Sequence, residues 1–172
     1  RTIYFAWTEK GMGGRSKSFD SSYNLKNTYK IFKVGADGSG LAQLTDGQHN
    51  DTDPCELPDG RIAFVSGRCR TTIRCNFGSS YAVNNTLFSM KPDGSDVVQL
   101  SWHETGEWAP SVGNDGMLVY TRWDYVDRNF EYSHDIWTCY PDGRDPRAPH
   151  GNYPGGAKMR PAGVIALVAL IP

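Results

Sequence analysis

Three short stretches of this chain hold most of the side chains able to do chemistry. His49, Asp51 and Asp53 bring an imidazole and two carboxylates together. Such a set could begin a metal site, but the ligand spacing of a calcium loop is missing and no converging His/Cys group accompanies it, so no metal is expected. Aspartates at a link between strands also cap backbone N–H groups, and that structural role suits Asp51 and Asp53 better. Arg122, Trp123, Asp124, Asp127 and Arg128 form the second stretch, with charged groups interleaved among aromatic ones. They can pair and stack with one another to order a loop, or present a surface to a ligand or partner. Cys69 and Cys75 make the third, beside Arg68. The candidate binding residues are therefore Asp51, Asp53, Arg68, Arg122, Trp123, Asp124, Asp127 and Arg128.

Nothing in the sequence argues for catalysis within this segment. The histidines (His49, His103, His134, His150) share no repeated position. No Ser/His/Asp set and no G-x-S-x-G elbow is found, so no catalytic residue is assigned. None of the four cysteines lies in a C-x-x-C or C-x-x-C-H pattern. A redox dithiol and a covalently attached c-type haem are thus unsupported here, and no cofactor is expected on this segment. Asn50-Asp51-Thr52 and Asn84-Asn85-Thr86 fit the glycosylation pattern, which short motifs meet by chance. The five tryptophans suit packing between sheets better than a binding box.

Bulk properties exclude several partners. The 172 residues leave room for a core, and 38% hydrophobic with 22% charged residues is a globular composition. A net charge of -1 gives no general pull toward nucleic acid. The longest apolar run, Val164 to Ile171, has eight residues and is too short for a membrane span.

The elements that position the candidate residues belong to an internal repeat. Ile31 to Ser66 aligns with Leu87 to Arg122 over 36 positions without a gap, at an offset of 56. Nine positions are identical, among them Asp37/Asp93, Gly38/Gly94, Pro54/Pro110, Asp59/Asp115 and Gly60/Gly116. Asp-Gly pairs between short β-branched and aromatic runs mark tight hairpins, because such turns need positive φ. Arg1 to Thr8 reads as the second strand of an earlier unit, since Ile3 and Phe5 match Ile62 and Phe64. The upstream strand of that unit is expected on sequence preceding Arg1. Residues 1–149 divide into blade parts 1–45, 54–101 and 109–149, and residues 150–172 form a tail outside the pattern. Asp46 to Asp53 reads as a connecting loop, with Pro54 opening the next strand.

Four short antiparallel strands per unit of roughly 40 to 50 residues is the sequence form of a propeller blade. A ring needs about 4 to 8 blades. The expected fold is therefore all-β, an incomplete β-propeller of about three blades, some partial. Its partners are expected to be the remaining blades or neighbouring domains of a longer protein.

The run Pro54-Cys-Glu-Leu-Pro-Asp-Gly-Arg-Ile-Ala-Phe, preceded by Asp37-Gly38 and Gln43-Leu44-Thr45, resembles the TolB-type propeller repeat. Ser66-Gly67-Arg68-Cys69, Val119 to Arg128 and Asp135-Ile136-Trp137 resemble, more narrowly, the propeller region of hydrazine synthase alpha-subunit-like bacterial proteins. The resemblance implies an exported, periplasmic protein whose propeller is a scaffold or binding module. It equally fits the propeller portion of a haem-containing redox enzyme, with c-type haem on sequence outside this chain, or the gating propeller of a serine peptidase.

In a propeller the tight hairpins share one face, and the longer second-to-third loops and blade links share the other. Binding residues favour long loops on a rigid scaffold, which makes the second face the candidate. Cys69 and Cys75 lie in one 19-residue loop there, Gly67 to Asn85. A disulfide between them is expected, worth about 2 kcal/mol by loop entropy, and the oxidising compartment implied by the resemblance would let it persist. Cys55 and Cys139 read as small buried strand residues.

Overall fold

The structure, a computed structural model, describes residues 1–9, 28–73, 83–123 and 134–149. Among these residues there are ten strands and no helix: β1 (Thr2–Trp7), β2 (Lys30–Gly35), β3 (Ala42–Gln43), β4 (Asp51–Glu56), β5 (Ile62–Ser66), β6 (Thr86–Met90), β7 (Val98–Gln99), β8 (Glu107–Val112), β9 (Leu118–Trp123) and β10 (His134–Cys139). They form three antiparallel sheets, β1-β2-β3, β4-β5-β6-β7 and β8-β9-β10. A bridge between Thr138 and Arg147 stands in the third sheet where β3 and β7 stand in the others. The chain is an incomplete β-propeller.

Side-chain alternation explains how the sheets stack. Along β5, Ile62 and Phe64 point one way and pack with Ile31, Phe88 and Met90 against the first sheet. Ala63 and Val65 point the other way and pack with Leu87, Leu118, Tyr120, Trp137 and Cys139 against the third. All five residues of β5 and of β6 are buried, because this sheet is covered on both faces. The cysteine expectation holds for packing: Cys139 is buried and Cys55 partly so.

Each hairpin is built in the same way. The carboxylate of Asp37, Asp59, Asp93, Asp115 or Asp142 accepts the backbone N–H two residues on, at 2.9 to 3.1 Å. The glycine after the aspartate has a second duty in two turns. A Cβ on Gly94 would stand 2.4 Å from the Leu44 carbonyl oxygen, and one on Gly143 would stand 2.2 Å from that of Leu100. Each turn therefore seats its backbone directly on the preceding sheet.

The strand boundaries differ from the sequence reading at one repeated place. Residues 51–53 are not a loop: β4 starts at Asp51, and β8 starts two residues before Ala109. Both strands carry a β-bulge, between Thr52 and Cys55 and between Trp108 and Ser111. Asp53 and Ala109 sit in the bulges at φ 54° and 49°. The bulge absorbs the proline, which has no N–H to give the ladder, and lets pairing resume beyond it.

Candidate functional site

The registers place residues 51, 66, 86, 107, 122 and 134 at one end of their sheets and the Asp-Gly hairpins at the other. At the first end two acids occupy the same repeat position. Asp51 begins β4, Glu107 begins β8, and both are fully buried.

Asp51 is closed in by its own sheet. Ser66, its ladder partner, donates Oγ–H to Oδ1 at 2.5 Å, and Arg68 donates Nη2–H to the same oxygen at 3.1 Å. Arg68 also donates Nε–H to Ser66 Oγ at 3.0 Å and lays its guanidinium over Phe64 and Phe88, 5.1 and 5.2 Å from their ring centres. His49 Nε2 stands 3.5 Å from Asp51 Oδ2, an ion pair when the imidazole is protonated. Burial alone would raise the Asp51 carboxyl, but His49, Arg68 and Ser66 outweigh it and hold it below its ordinary value. Lys30 adds a second clasp, donating to Thr28 Oγ1 at 2.7 Å, Tyr29 O at 3.2 Å and His49 O at 2.5 Å. Burial depresses its ammonium, against the pull of Asp51 and Asp46.

The structure thus gathers a serine, an aspartate and a histidine, in an order that does no hydrolytic chemistry. Asp51 lies between Ser66 and His49, so the hydroxyl proton points at a carboxylate and no imidazole stands ready to take it. Ser66 is also fully buried.

Glu107 faces a different setting. Its Oε2 accepts from Ser101 Oγ and, at 3.1 Å, from the Leu87 N–H. Its ladder partner is Arg122, which stands where Ser66 stands in the second sheet and places its guanidinium 4.0 Å from the centre of the Trp137 ring. A groove of about 560 Å³ opens between the second and third sheets, lined by Trp102, Glu107, Tyr120, Arg122, Asp142 and Arg144 among others. Trp102 is 77% exposed at its rim. Burial, with Glu107 nearby, pushes the Tyr120 hydroxyl up. The Cys139 thiol on the same wall is pushed up to about 12 by burial and by Glu107, so it stays protonated and is no nucleophile. Above the groove the Trp123 carbonyl accepts from His103 Nε2 at 2.7 Å and from Thr105 Oγ1. The Trp123 ring stacks on His134 at 5.3 Å between centroids, and Trp108 flanks the same imidazole.

The candidate residues separate accordingly. Asp51 and Arg68 meet. Asp53 does not join them: its Oδ2 accepts the Ala109 N–H at 3.1 Å, one repeat along the chain, and so ties the second sheet to the third. Arg122 and Trp123 belong to the third-sheet end. Asp124, Asp127, Arg128 and Cys75 lie outside the described residues; Cys69 is exposed, and Cys55, Cys69 and Cys139 are not joined to one another. No cluster of three or more metal-ligating side chains occurs among the described residues. The Asn84 amide is buried and donates to the His103 carbonyl, so a glycan there would displace a structural contact. The packing expectation fails for Trp102, while Trp7, 50% exposed, packs edge-on against Phe32. The residues missed from sequence were Lys30, Ser66, Ser101 and Glu107. The acid pair Asp51/Glu107 was visible in the repeat alignment, where it falls at the 56-residue offset.

No family model matches the chain, and no curated protein matches it. Solved structures do. A protein assigned as TolB from Agrobacterium tumefaciens is 18% identical, with a TM-score of 0.56 over 86% of this chain and 48% of that one. The hydrazine synthase of Kuenenia stuttgartiensis is 16% identical, with a TM-score of 0.67 over 91% of this chain and 24% of that one. The chain is thus similar in fold to TolB-type propellers and spans less than half the length of either neighbour. Among the described residues no helix is long and apolar enough to cross a membrane.

Proposed function

We propose that this chain is the blade-forming scaffold and binding module of a larger exported bacterial protein, and that it holds a protein or small-molecule ligand at the groove beside Glu107. The observation that carries the reading is the contrast between a rigid frame and an exposed aromatic rim. Sheets locked by buried apolar faces surround Glu107 and Arg122, while Trp102 stands in solvent at the mouth. Trp and Arg are the side chains that most often anchor an interface, and the groove carries one of each in Trp102 and Arg122. Export and a periplasmic setting belong to the proposal, and the fold likeness to the TolB-assigned neighbour supports them.

The test is photo-crosslinking in a bacterial periplasmic extract from probes placed at position 102 and, as a control, at position 59 on the hairpin end. Crosslinks from position 102 that Arg122→Ala abolishes support the reading. Equal crosslinking from both positions, or none from 102, overturns it.

A second reading makes the chain the propeller part of a haem-bearing redox protein resembling hydrazine synthase alpha. It is favoured by the higher TM-score and 91% coverage against that enzyme. On this reading the haem lies on sequence outside this chain. A c-type haem absorbance band in the natural full-length protein supports it, and a haem-free protein overturns it.

A further inference from the structure

The repeat singles out one residue at the groove beside Glu107. Trp102, in the link between β7 and β8, stands where the link between β3 and β4 has Asp46, at the 56-residue offset. Both side chains are exposed, so the packing of one sheet on the next asks for no indole at this place. Among the described residues the Trp102 ring makes no hydrogen bond and no ring contact. It lines the groove together with Leu100, Cys139 and Pro146, all without charge, since the buried Cys139 thiol stays protonated. The charges on the same wall are already matched. Arg144 donates Nε–H to Asp142 Oδ2 at 2.6 Å, and Asp145 Oδ1 accepts the Nε–H of Arg147 at 2.9 Å. Glu107 accepts from Ser101 and from the Leu87 N–H and has Arg122 as its ladder partner.

We propose, resting on the groove reading above, that the occupant is an aromatic side chain on a segment of a partner protein, set against the Trp102 indole. The matched charges argue first. A strongly anionic or cationic ligand finds its counter-charges on the wall already engaged, whereas a neutral ring loses nothing by their pairing. The ring supplies what the unstacked indole lacks, a face or an edge in the offset or T-shaped geometry that aromatic pairs adopt. Anchors of this kind tend to meet anchors across an interface, with Trp, Tyr and Arg foremost. The exposure of Trp102 selects a protein over a free small molecule. A small ligand sunk in the groove leaves the outer indole wet, while a protein surface covers the ring and excludes water around it.

The test is selection of short random peptides displayed on phage against the whole chain, followed by titration of the best peptide in soluble form. Selected peptides are expected to share one aromatic residue and no common charge. Replacing that aromatic by serine, or introducing Trp102→Ala in the chain, should each weaken the dissociation constant by about tenfold or more. Both changes together should cost little more than either alone, because they remove the same contact. Circular dichroism checks that Trp102→Ala, at an exposed position, keeps the fold. Losses that add in full place the aromatic elsewhere and overturn the proposal. So do selected peptides that share a charge and lack an aromatic, an empty selection, or N-acetyl-tryptophanamide binding as tightly as the peptide. The two readings fail separately: no crosslinks from position 102 removes the groove itself, while crosslinks there with charged peptides remove only the aromatic occupant.

Discussion

The loop ends of the second and third sheets start from one design and finish differently. Each has a fully buried acid at the first residue of its inner strand and a hydroxyl, Thr45 or Ser101, accepting the N–H of Ile31 or Leu87 at 3.0 Å. Around Asp51 the chain supplies Ser66, Arg68 and His49, and the end is closed. Around Glu107 the ladder partner is Arg122, turned onto Trp137, and a groove opens. The clasp and the recess differ at repeat positions 49/105, 51/107 and 66/122, where His, Asp and Ser stand against Thr, Glu and Arg. The repeat fixes where an acid is buried; its partners decide whether the place is structural or available.

Substitutions at the two acids should separate them most strongly. Asp51→Ala removes the acceptor of a buried ion pair and a hydroxyl together, and is expected to cost about 3 kcal/mol. Glu107→Gln keeps an acceptor for Ser101 and the Leu87 N–H and should cost nearer 1 kcal/mol. Chemical denaturation checks both, and equal losses would erase the contrast.

The Cys69–Cys75 disulfide, proposed from the loop alone, comes next in size. Reduction should lower stability by about 2 kcal/mol, and digestion without reductant followed by mass spectrometry should recover the linked peptide. A peptide with both thiols alkylated would end the idea.

A smaller effect attaches to the tie between the sheets. Asp53→Ala removes the acceptor of the Ala109 N–H and should cost about 1 to 2 kcal/mol. Ala109→Gly should instead stabilise by about 0.5 kcal/mol, because alanine at positive φ is strained and glycine is not. Thermal unfolding of the pair should move in opposite directions; a shared direction would mean that the bulge is held by something else.

Much of the fold was legible because the repeat is gapless and its turns announce themselves through Asp-Gly. The short β-branched and aromatic runs between those turns marked the strands, and the two-sided burial of β5 follows from its unbroken apolar run, Ile62 to Val65. The bulges were not legible, since a register slip changes no residue type and leaves only Pro54 and Pro110 as traces. The site was half legible. Asp51 and Arg68 were both candidates, yet their meeting depends on Ser66 lying opposite Asp51, and register is a property of the pairing and not of either strand. Asp53 takes the capping role read from its type and place, accepting a backbone N–H, but which one, that of Ala109 a full repeat along the chain, is set by the packing of the sheets. Trp102 read as a packing residue because propeller sheets bury large aromatics between them, while what covers a given position is a matter of its neighbours.

The most direct test is the titration of the Asp51 carboxyl, followed by carbon NMR. Its depressed folded value means that its stabilisation is complete above the unfolded value of about 3.9 and is lost as pH falls past it through the folded one. A closed clasp requires a midpoint below about 3.9 that rises in Arg68→Ala. A midpoint at or above the ordinary value, unmoved by that substitution, would contradict the clasp and with it the distinction between the two ends.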